Sequence, residues 1–363
     1  MQHSYVISSH KAVTITFSNY GLPNKVLQAV EYELPQPGLD EVTLKLIAAP
    51  INPADLNQIE GTFASKPEFS RRFGCSEAVA VPGNEGVSEV IALGKADSNE
   101  LSLGDWVIPK TASFGTWAAF KNAKVSDLIS LGKPNGLTPL QAATIAVNPL
   151  AAYRMLKDFV ELERDDWFIV NGGNSGVCRL SVQLAKLWGV KSISVIRDDG
   201  NLGEVKQELH ALGADHVITE EQLAGSSIER DVNEWTQGKM CKLALNSVGG
   251  KSSANIACQL ADKGTIVTYG DMSKKPVEIP ASLYIYKDIV SRGFWVTKWK
   301  KNNPKEFEQL IQSVAAMFRE KKLKLTAVAS VDLLDVEKVR SDELLSLFKS
   351  SIAKKGKNVI VVK

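Results

Sequence analysis

Histidine and cysteine are both scarce in this chain. Four histidines (His3, His10, His210, His216) and four cysteines (Cys75, Cys178, Cys241, Cys258) are spread over 363 residues, with no CxxC pair among them. So few scattered ligands argue against a zinc site, and so few histidines argue against a Ser-His-Asp hydrolase. The cysteines cannot form a disulfide framework, and a reducing compartment fits them best. No apolar run approaches the roughly 20 residues that a membrane-spanning helix needs, so no membrane insertion is expected. Neither charge sign dominates: 43 Lys and Arg face 41 Asp and Glu, for a formal charge of +2. No global field therefore commits the chain to nucleic acid or to a membrane surface. Residues 1–30 lack Asp and Glu, as a mitochondrial presequence would, but they also lack Arg. The alternating run Ala12–Phe17 follows almost at once, so no clear presequence is expected: it is very short, already removed or absent, and a cytoplasmic location stays open.

What is present is ordinary for a globular protein: 44% hydrophobic and 23% charged residues. The length suggests about two domains. The first part reads as β-rich. Ala12–Phe17 and Glu41–Leu46 alternate and are rich in β-branched residues, with Gly86–Leu93 and Asp105–Pro109 as further strands. Pro37-Gly38, Pro82-Gly83 and Gly104-Asp105 punctuate them. A small, mostly antiparallel barrel is predicted. Beyond Thr138 the texture changes. Helices are predicted over Pro139–Ala146, Pro149–Val160, Ser175–Trp188, Leu202–Leu212 and Ser253–Leu260. Strands are predicted over Trp167–Asn171, Ser192–Ile196, His216–Thr219, Lys242–Asn246 and Thr265–Tyr269. Such alternation predicts an α/β domain with a parallel sheet covered on both faces. From about Lys298 the pattern shifts again, to a helix at Pro304–Glu320, a strand at Ala327–Val331, a helix near Ser341–Phe348 and a strand at Asn358–Val362. The expected organisation is discontinuous, with residues 1–147 and 298–363 in one domain and 148–297 in the other.

The main chemical signal is the turn Asn171-Gly172-Gly173-Asn174-Ser175-Gly176-Val177, placed between an apolar strand and a helix. Glycines there let the backbone approach a pyrophosphate, which the helix N-terminus stabilises. The second strand ends in Arg197-Asp198-Asp199, where a dinucleotide-binding unit reads the ribose. An acid can bond the 2′-hydroxyl and an Arg can hold a 2′-phosphate, and both types occur here. Where a glycine commonly lets helix and strand close, this chain has Cys178, expected to be a buried small hydrophobe that holds them slightly apart.

These residues, with the segments Ala48–Gly61, Gly83–Gly86, Asp105–Pro109, Gly115–Trp117, Ala143–Pro149, Ser194–Asp198, Leu243–Ser253, Pro280–Leu283 and Gly293–Thr297, resemble the medium-chain dehydrogenase/reductase superfamily. Within it the chain resembles the mitochondrial 2-enoyl thioester reductases, which act on enoyl-CoA or enoyl-acyl-carrier-protein. The resemblance spans nearly the whole chain. It implies a homodimer, in which each subunit has a GroES-like barrel domain and a Rossmann domain with a cleft between them. It implies that NADPH delivers hydride to the β-carbon of a trans-2-enoyl thioester in mitochondrial fatty acid synthesis. Cofactor contacts are implied at Asn148, Asn171–Val177, Arg197, Asp198, Asp199, Tyr269, Gly270, Asp271, Met272, Phe294, Trp295, Val296 and Lys357. No metal is implied: the segments that carry zinc ligands elsewhere in the superfamily read Asn52–Asp55 and Gly83–Gly86 here.

Three departures fall on functional positions. The family's tyrosine, a proton donor or enolate stabiliser, is replaced in Gly61-Thr62-Phe63 by Phe63, which keeps the shape and loses the hydroxyl. Tyr20, Tyr32 and Tyr153 are distant in sequence and are not expected to replace it. Asp199 stands where the family has an arginine; it opposes a 2′-phosphate and admits NADH beside NADPH. Asp271 stands where the family has a glycine and puts a carboxylate near the dinucleotide. Two alternatives therefore stand beside the reductase: a catalytically weakened paralogue acting as a binding or maintenance protein, and a quinone or enone reductase. Glu85 is expected to fix its loop and Asp55 to cap a helix starting at Leu56. The basic runs Lys298–Lys301, Lys321–Lys324 and Lys354–Lys357 are read as solvated faces, and no nucleic-acid partner is expected.

Overall fold

The computed structural model describes residues 10–94, 101–198, 200–326, 328–354 and 356–362. These fall into two compact units, one drawn from 1–147, 300–319 and 328–363, the other from 148–299 and 320–327.

In the first unit, β1 (His10–Thr16) pairs antiparallel with β2 (Gln28–Leu34). Then come β3 (Glu41–Ile51), β4 (Val87–Leu93), β5 (Trp106–Pro109), β6 (Phe120–Lys124) and β7 (Leu128–Gly132). β3 is central and pairs antiparallel with both β4 and β6. It runs past the alternating segment because Ala48, Ala49, Pro50 and Ile51 are all buried, and an extended run buried on both faces shows no alternation. The core of this unit gathers Phe17, Ile59, Trp117 and Phe348, each fully buried.

The second unit holds β8 (Trp167–Val170), β9 (Lys191–Ile196), β10 (His216–Thr219), β11 (Cys241–Asn246), β12 (Leu260–Thr268) and β13 (Val290–Gly293). All pairs are parallel, in the order β10-β9-β8-β11-β12-β13. This is the α/β doubly wound order predicted by the alternation. The order reverses between β8 and β11, so the loops at their carboxyl ends border a crevice where such sheets bind ligands. β8 is wholly buried, whereas all four residues of β13 at the sheet edge are exposed.

The chain then returns to the first unit through β14 (Val328–Leu334) and β15 (Lys357–Val362). β15 pairs antiparallel with β3, Asn358 opposite Ile51, and parallel with β14.

Several boundaries differ from the sequence reading for local reasons. The helix after β3 starts at Pro53, not Leu56, because proline suits a first helical turn. Asp55 therefore lies inside that turn and caps it backwards, accepting the Asn52 N–H at 2.8 Å. The helix read as Pro139–Ala146 ends at Ala143, and the next runs Asn148–Asp158. Ser175 is an N-cap, its hydroxyl accepting the Cys178 N–H at 3.2 Å, so the helix proper is Gly176–Trp188. Among the described residues, no helix is long and apolar enough to cross a membrane.

Candidate active site

The carboxyl edge of the second unit's sheet gathers most of the residues singled out in the sequence. β8 leads into Gly172, whose φ of +64° favours glycine. At Gly173 the backbone lies directly against β9, donating its N–H to Val195 O at 2.7 Å. A Cβ there would sit 2.6 Å from Ile196 Cγ2 and 2.8 Å from Val195 O, so only glycine fits. The helix starts at Gly176, where a Cβ would stand 2.6 Å from Asn148 Nδ2. Asn148 is thereby brought onto the same helix end. The first N–H groups of this helix have no intrahelical partner, and a pyrophosphate could bind there.

Asn171 behaves differently from the rest of the turn. Its side chain is fully buried and fully used. It donates to Asn246 Oδ1 at 2.8 Å and Ser252 Oγ at 3.0 Å, and accepts the Ser247 N–H at 2.7 Å. It therefore ties the loops after β8 and β11 together and has no polar group left to offer a ligand. The loop after β12 closes over the same region. Tyr269 donates its N–H to Asn246 O and Met272 its N–H to Ser247 O, both at 2.9 Å. Gly270 packs closely there: a Cβ would stand 3.1 Å from Ser247 Cβ, so Ser247 would have to give slightly. The Tyr269 hydroxyl is buried, and desolvation pushes its pKa up to about 12. The Asp271 side chain is exposed. Phe294 donates its N–H to Thr268 O at 2.9 Å and sets its ring edge-on to Phe159. Trp295 is 39% exposed, and Val296 begins the short helix Val296–Asn302.

Arg197 and Asp198 are exposed at the end of β9, with Asp198 Oδ1 accepting the Gly200 N–H at 3.1 Å. Burial raises the Glu220 carboxyl above its ordinary value, while the Arg197 charge opposes that rise. Asp199 lies outside the described residues. Cys178 is fully buried, its thiol pushed up to about 11 by desolvation, and its Sγ lies 3.5 Å from Ser194 Oγ.

Arg179 was not singled out by the sequence. Its guanidinium forks onto Glu208, Nε to Oε1 at 3.0 Å and Nη2 to Oε2 at 2.7 Å, and its Nη1 donates to Asn174 O within the turn. This pairing holds the Glu208 carboxyl below its ordinary range. A half-buried bidentate pair is thus spent on fixing a loop carbonyl. Only the fold brings Glu208, 29 residues away, to this point.

In the first unit, Phe63 follows a tight helix end. Gly61 has φ +78°, and the N–H groups of Thr62 and Phe63 both donate to Asn57 O, at 2.8 and 3.1 Å. The tyrosines are not uniformly remote, contrary to their sequence distance. A Cβ on Gly61 would stand 2.8 Å from Tyr20 Cγ, so that ring packs on the turn itself. Tyr32 spends its hydroxyl on Phe120 O at 2.7 Å, and Tyr153 packs on Trp188 in the other unit.

Glu85 is 2% exposed and fixes three segments. Its Oε1 accepts the Ala146 N–H at 3.0 Å, its Oε2 accepts Asn52 Nδ2 at 3.0 Å, and its carbonyl accepts the Thr116 hydroxyl at 2.9 Å. Lys357 Nζ lies 3.9 Å from Glu85 Oε2, buried and making no hydrogen bond among the described residues. Desolvation pulls its pKa down, opposed by Glu85 and Asp55. A buried ammonium that makes no hydrogen bond could still donate to a ligand oxygen. The basic run at 298–301 is not wholly solvated: Lys300 is buried, with Nζ 4.6 Å from the Phe307 ring centroid. Among the described residues no cluster of three or more His, Cys, Asp or Glu could hold a metal ion.

Comparison with known proteins follows the same division. A family described as alcohol dehydrogenase GroES-like domain matches residues 38–137, and one described as zinc-binding dehydrogenase matches residues 176–316. The mitochondrial enoyl-acyl-carrier-protein reductase of Yarrowia lipolytica is 42% identical over 341 residues, covering 94% of this chain and 88% of that protein. The solved complex of Etr1p with NADP and crotonyl-CoA superposes with a TM-score of 0.91 at 42% identity, covering 97% of this chain and 99% of that one. The Etr1p/Etr2p heterodimer from Candida tropicalis, a mitochondrial 2-enoyl thioester reductase, matches with the same score, identity and coverage.

If the Arg179–Glu208 fork holds the turn in shape, Arg179→Ala should weaken dinucleotide binding about tenfold, the range of one charge-assisted hydrogen bond. Arg179→Lys should recover part of that loss, and calorimetric titration reads both. Unchanged affinity in Arg179→Ala would show that the turn holds its shape without the fork.

Proposed function

This chain belongs to the family of the mitochondrial enoyl-acyl-carrier-protein reductases, and from that premise we propose that it reduces trans-2-enoyl thioesters with NADPH. The observation that carries the reading is the cradle at Gly173, where the absent side chain leaves a bare backbone turn beside a helix N-terminus. Gly172, Gly173, Asn174, Ser175, Gly176 and Val177 would hold the pyrophosphate, with Asn148 at the helix start. Arg197 would face the 2′-phosphate. Tyr269–Met272 and Phe294–Val296 would flank the nicotinamide end, and Lys357 would offer its ammonium to a cofactor oxygen. Asn171 and Arg179 act behind these groups by positioning the turn.

When bound, the cofactor supplies a hydride to the substrate β-carbon, and the thioester oxygen takes up the charge as an enolate. A donor aimed at that oxygen is worth most in a site shielded from water. Phe63 would line the acyl position without donating a proton. The α-carbon then takes its proton from a water molecule. The relatives named above favour this reading over a quinone reductase or a non-catalytic binding protein. They are named as mitochondrial, and we place this chain's work there too, on enoyl-acyl-carrier-protein or enoyl-CoA in fatty acid synthesis. Residues 1–147 with 298–363 are read as the GroES-like catalytic domain and 148–297 as the Rossmann domain.

We further read the assembly as a homodimer joined through β13. This edge strand is exposed, and an exposed flat edge is a template for pairing. Ile285 and Tyr286, 71% and 80% exposed, lie with Tyr284 on the helix Ala281–Lys287 that precedes it, and β13 itself opens on the exposed Val290, so the segment carries an apolar flank. A twofold axis across β13 would pair it with itself and bury that flank.

Saturable NADPH binding and crotonyl-CoA-dependent NADPH oxidation by the purified chain are the expected results. Absence of NADPH binding at millimolar concentration would remove the reading. Phe63→Tyr should raise turnover at least about tenfold, at the low end of general acid assistance. No gain in a variant that still binds NADPH would show that the missing hydroxyl does not limit the rate. Light scattering should find a dimer, and Ile285→Asp should shift it to monomer. A dimer unmoved by that change would place the interface elsewhere.

A further inference from the structure

The residues around Phe63 include a hydrogen-bonded chain that the reading above does not use. It begins at Asp55, which is fully buried. The Asp55 carboxylate can only accept, so Asn84 must turn its Nδ2 toward Asp55 Oδ1, 2.7 Å away. Asn84 Oδ1 then accepts the Ser113 N–H at 2.7 Å. The Asn84 Nδ2 also reaches Gln58 Oε1 at 3.3 Å, which turns Gln58 Nε2 the other way. Gln58, also fully buried, donates that Nε2 to Ser113 Oγ at 2.7 Å and to Ser65 O at 3.0 Å. Ser113 Oγ and Ser65 Oγ are 3.0 Å apart. Ser113 itself has φ +64°, a left-handed conformation that is costly for serine and persists only where surroundings over-determine it.

Counting protons gives the consequence. Two hydroxyls share one mutual hydrogen bond, so one O–H of the pair has no acceptor among the described residues. Either hydroxyl can donate in that bond; in one of the two arrangements Ser113, which accepts from Gln58, spends its own proton on Ser65 Oγ. That leaves the Ser65 O–H free and polarised by the chain behind it. Ser65 is half-buried and lies two residues beyond Phe63, on the same loop.

We propose that the Ser65 hydroxyl, aligned by Gln58 and Ser113, donates the hydrogen bond to the substrate enolate that a tyrosine at position 63 would otherwise donate. This rests on the enoyl thioester reductase reading. The hydride forms the new C–H bond at the β-carbon, and the alkene electron pair moves onto the thioester oxygen. Ser65 stabilises that oxygen without giving up its proton. The α-carbon takes a proton from water as the carbonyl re-forms, and the cofactor leaves oxidised. Gln58 and Ser113 are positioning residues; Ser65 is the group that touches the substrate.

The test is a set of variants assayed by steady-state reduction of crotonyl-CoA with NADPH, with NADPH affinity measured on each. Ser65→Ala should lower kcat at least about tenfold, the scale of losing one such donor, with NADPH affinity unchanged. Ser65→Thr, which keeps a hydroxyl, should stay within about threefold of the parent. In a Phe63→Tyr background the Ser65→Ala loss should shrink to about twofold, because the phenol takes over the donor role. Tyr20→Phe should leave turnover unchanged. Overturning results are a Ser65→Ala enzyme within twofold of the parent, an equal loss in both backgrounds, or a large loss in Tyr20→Phe. A parent that binds NADPH and reduces no enoyl thioester would remove the reductase reading and this proposal together. A parent that reduces crotonyl-CoA with Ser65→Ala equally active would overturn this proposal alone.

Discussion

The close approach of a bare backbone to a neighbouring strand is the constraint on which the second unit depends. Gly173 touches β9 where no side chain fits, and its N–H is spent on Val195. That contact sets where the following helix begins and hence where its free N–H groups point. Asn171, Asn246 and Ser247 lock the turn from the side of β11, and Arg179 with Glu208 locks it from the side of the helices. A turn held from both sides has little freedom left to lose, the condition that preserves affinity in a binding site.

The first unit solves a different problem. It buries two carboxylates, Asp55 and Glu85, without a close ion pair, since Lys357 stands 3.9 Å from Glu85. Burying a carboxylate is costly unless hydrogen bonds compensate. Asp55 accepts three hydrogen bonds and Glu85 two at its carboxylate, yet desolvation still pushes the Asp55 pKa up to about 6. What that expense achieves is geometry. The donors come from Asn52, Asn84 and Ala146, so two carboxylates hold the loop at residues 83–86, the helix Pro53–Ile59 and the segment leading to Asn148 in fixed relation. The turn bearing Phe63 leaves the end of that helix, and its position follows.

The departures from the family sit in different surroundings. The Asp271 side chain is exposed. Cys178 is fully buried beside Ser194, as expected of a small hydrophobe. Phe63 has no hydroxyl to offer. The loop that carries it also holds Ser65, whose Oγ lies 3.0 Å from Ser113 Oγ.

The linear chain alone determined the α/β class, the alternating strands and helices, and the glycine turn. These follow from local rules: hydrophobic period, proline and glycine placement, and the steric freedom of a residue without a side chain. It also carried the loss at position 63, because identity at one position needs no fold to be read. Only the tertiary structure decided which polar groups are spent and which are free. Asn171 is consumed by Asn246, Ser247 and Ser252, more than seventy residues away. Ser65 meets Ser113 across 48 residues, and Arg179 meets Glu208 across 29. Hydrogen-bond satisfaction is a property of neighbours in space, and no sequence pattern sums it.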